Sequence, residues 1–221
     1  IAVYFLSLLG FKNEKKAFIS ALILMSSGLY IGLARTVFSD MIFSVFILLS
    51  LLSFYWGYTC KARKGSGILL FFIFSGLAVL TKGPLGFLIP FLIISVFLLI
   101  KREFKFLFCQ YSLWGILIFI ALSFPWYIFM LKKYSASFVR EFFYNDNIRR
   151  IVEAEHPGND RWYFYPFYMI GCMFPWSLYT FASLIYLFKY FRINTDHIYI
   201  FLVSWIIITF LVFQPAHSKL I

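Results

Sequence analysis

The polar side chains that could act on a charged substrate are few, and they lie in short turns between long apolar runs. Lys82 directly precedes Gly83-Pro84. A lysine beside a helix that begins at a proline adds its charge to the free amides of that helix, a combination that binds phosphate. The same lysine would also be explained as the C-terminal residue of the preceding helix, with its ammonium group extended toward water. Both interpretations of Lys82 stay open on the local sequence.

Asp40 is the acidic residue that opens the apolar run Met41–Tyr58. An aspartate at this place is typical of an N-cap, because its carboxylate accepts hydrogen bonds from the first free amides of a helix. It is also a candidate site residue, paired with Arg35 or holding a hydroxyl group or a metal ion, since acids beside membrane spans are rare and often functional. The two roles are compatible.

A third group of candidates lies in the longest polar segment, Lys132–Tyr165, and at the end of the chain. Arginines bind phosphate through paired donors, although pairing with neighbouring acids would explain them as well. A lone loop histidine is usually solvated, and the spacing of Glu153, Glu155 and His156 matches no compact metal motif. The candidates in these two places are Arg149, Arg150, His156, Arg161, His217 and Lys219.

An apolar framework must position these side chains. Of the 221 residues, 62% are hydrophobic and 13% are charged, and the mean hydropathy is +0.87. Soluble domains carry roughly 25% charged residues, so this composition excludes both a soluble domain and a disordered chain. A net charge of +11 would suggest nucleic acid in a soluble protein. In a membrane protein it is first a signal of sidedness, and we expect no nucleic-acid partner.

Apolar runs separated by charged breaks predict an all-α integral membrane protein, a helical bundle of about seven to eight spans forming a single domain over residues 1–221. The stretch Ile68–Ile100 would rise about 50 Å as one helix, too long for a hydrocarbon core of about 30 Å, so the turn at Lys82 predicts a hairpin. The predicted spans are Ile1–Phe11 (the end of a span), Ala17–Ala34, Met41–Tyr58, Ile68–Leu80, Pro84–Ile100, Tyr111–Leu131, Pro166–Phe188 and Ile198–Phe213.

Alternate loops differ in charge. One set holds eleven basic and three acidic residues, whereas the only basic residues in the short loops of the other set are Arg35, Lys82 and Lys219. Basic residues in short loops mark the cytoplasmic side, so Asp40 and Lys82 are predicted on the outer face. The segment Lys132–Tyr165 falls on the same face. Its mixture of aromatic, basic and acidic residues predicts an ordered loop with a short interfacial helix.

Several motifs recur in a recognisable order along nearly the whole chain. They are Ser39-Asp40-Met41, Leu80-Thr81-Lys82-Gly83-Pro84, Phe124-Pro125-Trp126-Tyr127, the series from Phe138 to Arg149-Arg150, His156-Pro157-Gly158, Trp162-Tyr163-Phe164-Tyr165-Pro166, Gly171 through Pro175-Trp176, and Ser218-Lys219-Leu220. Individually none is specific. Together they resemble bacterial membrane glycosyltransferases of the protein-mannosyltransferase and aminoarabinose-transferase superfamily.

The resemblance implies a GT-C-type bundle and an enzyme at the periplasmic face of the inner membrane. Such enzymes transfer one sugar, with inversion, from a polyprenyl-phosphate donor to lipid A or lipopolysaccharide, another envelope glycan, or a protein. It implies Lys82, Arg149, Arg150 and Lys219 as donor-phosphate ligands and Asp40 as a supporting acid, and leaves Arg35, His156, Arg161 and His217 as outer-loop candidates. The family's catalytic acids lie on a first outer loop that is expected upstream of Ile1, in a chain truncated at both ends. No cofactor is firmly implied, and a divalent cation stays open.

Two other classes stay open on the sequence. A secondary transporter or flippase of lipid-linked substrates favours broken helices near the membrane midplane and internal repeats. The span interiors are nearly free of charge, and the two Phe-Pro-Trp units at Phe124 and Phe174 do not extend into a longer repeat, which disfavours this class. The third class is a degenerate, non-catalytic membrane fragment.

The predicted sidedness is testable by labelling. A cysteine introduced into the Lys132–Tyr165 segment should react with a membrane-impermeant maleimide in intact cells, because the segment faces outward. The control is a cysteine beside Lys105, in a predicted cytoplasmic loop, which should react only after lysis. Labelling of the two sites in the opposite order would invert the predicted topology.

Overall fold

The computed structural model describes residues 1–36, 39–138, 164–191 and 196–215, and these ranges are built almost entirely from helices. The α-helices in chain order are α1 Ala2–Phe11, α2 Glu14–Ser26, α3 Gly28–Ala34, α4 Ser39–Thr59, α5 Lys64–Lys82, α6 Leu85–Lys101, α7 Gln110–Phe138, α8 Phe164–Cys172, α9 Ser177–Phe191 and α10 His197–Phe213. Two short 3-10 helices, Lys61–Arg63 and Phe104–Phe106, follow α4 and α6.

The predicted all-helical membrane fold is confirmed. In the part of the chain that the structure describes, α4, α5 and α7 are each long and apolar enough to cross a bilayer, and α2 with α3 passes the same test as a pair bent by 64°. Helices α1, α6, α9 and α10 are apolar but shorter. The predicted hairpin at Lys82 is also confirmed, because α5 ends there and α6 begins at Leu85.

Two predicted spans are wrong as single helices. The run Ala17–Ala34 is broken at Ser27, whose backbone is extended, and Pro166–Phe188 is broken between α8 and α9. The start of the predicted outer segment is also helical, since α7 continues to Phe138. The second break contains Pro175, which cannot donate a helical hydrogen bond, and the two breaks contact each other, as described below.

The core lies between α4, α5, α6 and α10, and aromatic rings dominate its half next to the basic loops. Phe54 is 1% exposed and makes edge contacts with Phe71 and Phe97, at 6.4 and 6.1 Å between ring centroids. Phe201 of α10 stacks on Phe54 at 6.4 Å and meets Phe97 edge-on at 5.4 Å. Each such pair contributes about 0.5–1.5 kcal/mol beyond the area it buries, so this cluster ties the four helices together.

Helices α4 and α5 approach closely at a pair of glycines. A Cβ placed on Gly67 would lie 2.5 Å from the Cα of Gly57 and 2.7 Å from the carbonyl oxygen of Ser53. Both neighbours are backbone atoms, which cannot rotate away. Small residues at such contacts let membrane helices pack at short range, and here the contact fixes how α5 lies along α4.

We expect Gly67→Ala to destabilise the protein by about 1–3 kcal/mol, because the added methyl group would push α4 and α5 apart. Thermal unfolding in detergent, followed by tryptophan fluorescence, measures this. The matched control is Gly32→Ala in α3, where an added Cβ meets nothing within 4 Å; it should unfold at or slightly above the wild-type temperature. Equal unfolding temperatures for the two variants would contradict the close contact.

Candidate functional site

Asp40 and Lys82 form an ion pair at one end of the bundle. Asp40 lies in the first turn of α4, Lys82 is the last residue of α5, and the Lys82 Nζ donates a hydrogen bond to the Asp40 Oδ1. The two side chains are 34% (Lys82) and 50% (Asp40) exposed. Two candidates that are 42 residues apart in the sequence are thus in direct contact. The partner of Asp40 is Lys82 rather than Arg35, which is exposed at the end of α3.

The sequence interpretation of Asp40 as an N-cap needs a correction of position. Helix α4 begins at Ser39, so Asp40 lies inside the first turn and not before it. A carboxylate in the first turn still lies near the positive end of the helix dipole. The charge of Asp40 is therefore stabilised by the end of its own helix and by the Lys82 ammonium group.

The turn after Lys82 requires a glycine and uses the amides that follow. Gly83 has a φ of 86°, in the region that side chains disfavour. The Gly86 amide donates to the Gly83 carbonyl at 3.0 Å, and the Phe87 amide donates to the Pro84 carbonyl at 3.1 Å. These amides were expected to be free for a phosphate, and they are occupied within the turn. Lys82 supplies the positively charged side chain of this turn.

Helix α7 braces the end of α5 that carries Lys82. The Tyr127 hydroxyl donates to the Val79 carbonyl at 2.8 Å, and that carbonyl also accepts the Gly83 amide at 2.8 Å. One helical turn earlier, the Ser123 hydroxyl donates to the Gly76 carbonyl at 3.3 Å. Sequence analysis missed Tyr127 as a residue of the site. Its motif contains Pro125 inside a helix, and a polar residue beside such a proline is a signal that could have found it.

The remaining candidates lie outside the described residues. Arg149, Arg150, His156, Arg161, His217 and Lys219 stay predictions, as does the ordered segment that carries most of them. Among the described residues, no three His, Cys, Asp or Glu side chains are grouped so that they could hold a metal ion.

The opposite end of the bundle carries the basic loops and a polar cluster of its own. The Tyr58 hydroxyl donates to Glu103 Oε2 at 2.9 Å and lies 3.2 Å from His197 Nδ1. This brings the ends of α4 and α6 and the start of α10 together. The arrangement agrees with the predicted alternation of loops, because α4 runs from Asp40 at one end to Tyr58 at the other.

The chain is similar in sequence to a known protein family and to curated relatives. The family model described as dolichyl-phosphate-mannose-protein mannosyltransferase matches residues 1–138. The chain is 27% identical over 224 residues to an undecaprenyl phosphate-alpha-4-amino-4-deoxy-L-arabinose arabinosyl transferase of Edwardsiella ictaluri, covering 100% of this chain and 40% of the relative. It is 30% identical over 225 residues to the protein of the same name from Wigglesworthia glossinidia brevipalpis, covering 99% of this chain and 39% of that relative.

The fold is also similar to solved structures. The crystal structure of ArnT from Cupriavidus metallidurans bound to undecaprenyl phosphate superposes with a TM-score of 0.84 at 19% identity, covering 99% of this chain and 39% of that one. The apo structure of the same protein gives a TM-score of 0.78 at 20% identity, covering 99% of this chain and 41% of that one. The chain spans about 40% of the length of the curated relatives that it matches.

Proposed function

We propose that this chain, which belongs to the dolichyl-phosphate-mannose-protein mannosyltransferase family, is a membrane glycosyltransferase. It moves a single sugar from a polyprenyl-phosphate-linked donor to an acceptor in the bacterial envelope. The acceptor is lipid A or lipopolysaccharide, another glycan, or a protein, and the reaction takes place at the periplasmic face of the inner membrane. The observation that carries the proposal is the Lys82–Asp40 pair at the end of the bundle away from the basic loops.

The chemistry requires a cation beside a departing phosphate. In the proposed reaction an acceptor hydroxyl gives its proton to the acidic base that the family resemblance implies on the first outer loop. Its oxygen bonds to the anomeric carbon of the donor sugar, and the bond from that carbon to the phosphate oxygen breaks. The bonding electrons leave with the polyprenyl phosphate, whose negative charge increases. Lys82 stabilises this charge, and a cation fixed in place before the reaction is an effective way to do so. Arg149, Arg150 and Lys219 are proposed as further donor-phosphate ligands.

Asp40 has a supporting role in this proposal. Its carboxylate orients the Lys82 ammonium through their hydrogen bond, and it is not assigned as the base that activates the acceptor. The lipid tail of the donor requires an apolar surface beside the site, and α7, which braces the Lys82 turn, exposes apolar side chains along most of its length.

A transporter is less well supported. Broken helices are typical of that class, and α2–α3 and α8–α9 are broken. Both breaks are closed by hydrogen bonds to each other, and the family match concerns transferases.

We expect Lys82→Ala, in the protein expressed from its native gene, to reduce sugar transfer by about 10²–10³-fold while leaving membrane insertion intact, since loss of one preorganised charge contact has an effect of this size. Mass spectrometry of envelope lipids and glycans, with and without the gene, identifies the product and its yield. The control is Lys105→Ala at the opposite end, which should keep wild-type yield. Full activity of Lys82→Ala would refute the phosphate role.

Asp40→Asn removes the charge of Asp40 and keeps a side chain of the same size. In the first turn, the lost interaction with the α4 dipole is worth only about 0.3–1 kcal/mol, so a purely helix-stabilising role predicts nearly unchanged transfer. We expect instead a fall in product yield of about tenfold, because Lys82 loses the carboxylate that orients it. The same mass-spectrometric assay applies, and wild-type yield from Asp40→Asn would reduce Asp40 to a helix-stabilising residue.

A further inference from the structure

Two of the spans are broken at the same depth in the bundle. Helix α2 has 13 residues and rises about 20 Å from the basic end before its break. Helix α9 has 15 residues and spans about 22 Å between its break and the same end. Both breaks therefore lie in the half of the bundle that contains the Asp40–Lys82 pair.

At this depth the two breaks are bonded to each other. The indole Nε1 of Trp176 donates to the Ser26 hydroxyl at 2.8 Å, and the Gly28 amide donates to the Phe174 carbonyl at 3.0 Å. The Ser26 hydroxyl in turn donates to the Leu22 carbonyl at 2.7 Å. The result is a chain of hydrogen bonds that runs from the indole through Ser26 into the last turn of α2.

These hydrogen bonds allow the backbone to depart from helical conformation inside an apolar part of the bundle. Polar groups freed at a helix break inside a membrane must be satisfied by the protein itself. The Ser27 side chain, which is 3% exposed, does so by donating to the Leu24 carbonyl at 2.8 Å. Since each break supplies a partner for the other, the two broken spans are joined at a fixed point.

The joined breaks lie between two segments that lead to the proposed site. Beyond its break, α3 leads to Arg35 and packs against α4, whose first turn contains Asp40. Helix α8 begins at Phe164, where the outer segment ends, and packs against α3. The joined breaks therefore connect α8, through α3, to the helix that carries Asp40.

We propose that Ser26 and Trp176 are positioning residues of the transfer reaction, because their hydrogen bond joins the end of α2 to the start of α9 and so holds α3 between α8 and α4, the helix whose first turn contains Asp40. The inference rests on the proposed function. The two residues touch no reacting atom; they act through α3 and α8. Small displacements of reacting groups lower the rate by large factors while binding is less affected, so the expected defect is in kcat.

The test is a double-mutant cycle in the protein expressed from its native gene. Trp176→Phe keeps a ring and removes the indole donor, and Ser26→Ala removes the acceptor. We expect each to reduce kcat about five- to twentyfold with the donor KM within about twofold, and the double variant to be no slower than the slower single variant. Ser26→Thr keeps a hydroxyl and should restore most of kcat.

Matched controls and a second measurement separate the outcomes. Ser183→Ala in α9 removes a hydroxyl whose bond to the Thr180 carbonyl stays within its own helix, and Trp56→Phe changes a ring that lies beside Arg63 at the opposite end of the bundle; both should keep wild-type kcat. Thermal unfolding of the wild type, the two single variants and the double variant measures the Ser26–Trp176 hydrogen bond without any transfer assay. The positioning role would be overturned if the two substitutions were coupled in unfolding temperature while kcat stayed unchanged. It would also be overturned if their effects on unfolding temperature and on kcat were both additive. Absence of transfer by the wild-type protein would overturn the proposed function and this role with it, while the unfolding cycle still reports the bond.

Discussion

The backbone contact between Gly57 and Gly67 sets the relation of α4 to α5, and the proposed site depends on it. From this contact α4 spans about 26 Å back to Asp40, and α5 rises about 22 Å to Lys82, at 1.5 Å per residue. The two distances nearly match, so the acid and the lysine meet at the far end. A slip of one residue would turn Lys82 by about 100° around α5 and separate the pair. Two residues without side chains thus determine where a charged pair forms.

Many polar contacts in the rest of the described structure are hydrogen bonds from side-chain hydroxyls to backbone carbonyls inside the apolar bundle. The hydroxyls of Ser50, Ser53 and Thr59 bond carbonyls of their own helix, whereas Ser123 and Tyr127 reach from α7 to carbonyls of α5. The second kind fixes one helix against another, because each unsatisfied group in hydrocarbon is unfavourable by several kcal/mol. Trp176 and Ser26 belong to this second kind.

Sequence patterns predicted the helices better than the contacts between them. Hydropathy and the turn at Lys82 located the α5–α6 hairpin, since helix lengths follow directly from bilayer thickness. The partner of Asp40 could not be derived, because Arg35 and Lys82 were both candidates and the choice depends on the register of α4 and α5. The break at Ser27 was missed, and the unit that contacts it, Phe174-Pro175-Trp176, lies about 150 residues away in the sequence. In the sequence that unit served only as a motif and as a test for an internal repeat, and only the fold reveals what it contacts.

The exposure of the Asp40–Lys82 pair suits exchange with a charged substrate. Exposed ion pairs contribute only about 0–1 kcal/mol to stability, and these side chains are 34% and 50% exposed. A buried pair would resist opening, since removal of one partner leaves an unpaired charge in a low-dielectric environment. In the proposed reaction the Lys82 ammonium keeps its hydrogen bond to the orienting Asp40 carboxylate and offers its other donors to the donor phosphate. Because the pair is partly open to solvent, those remaining donors are accessible to stabilise the departing group.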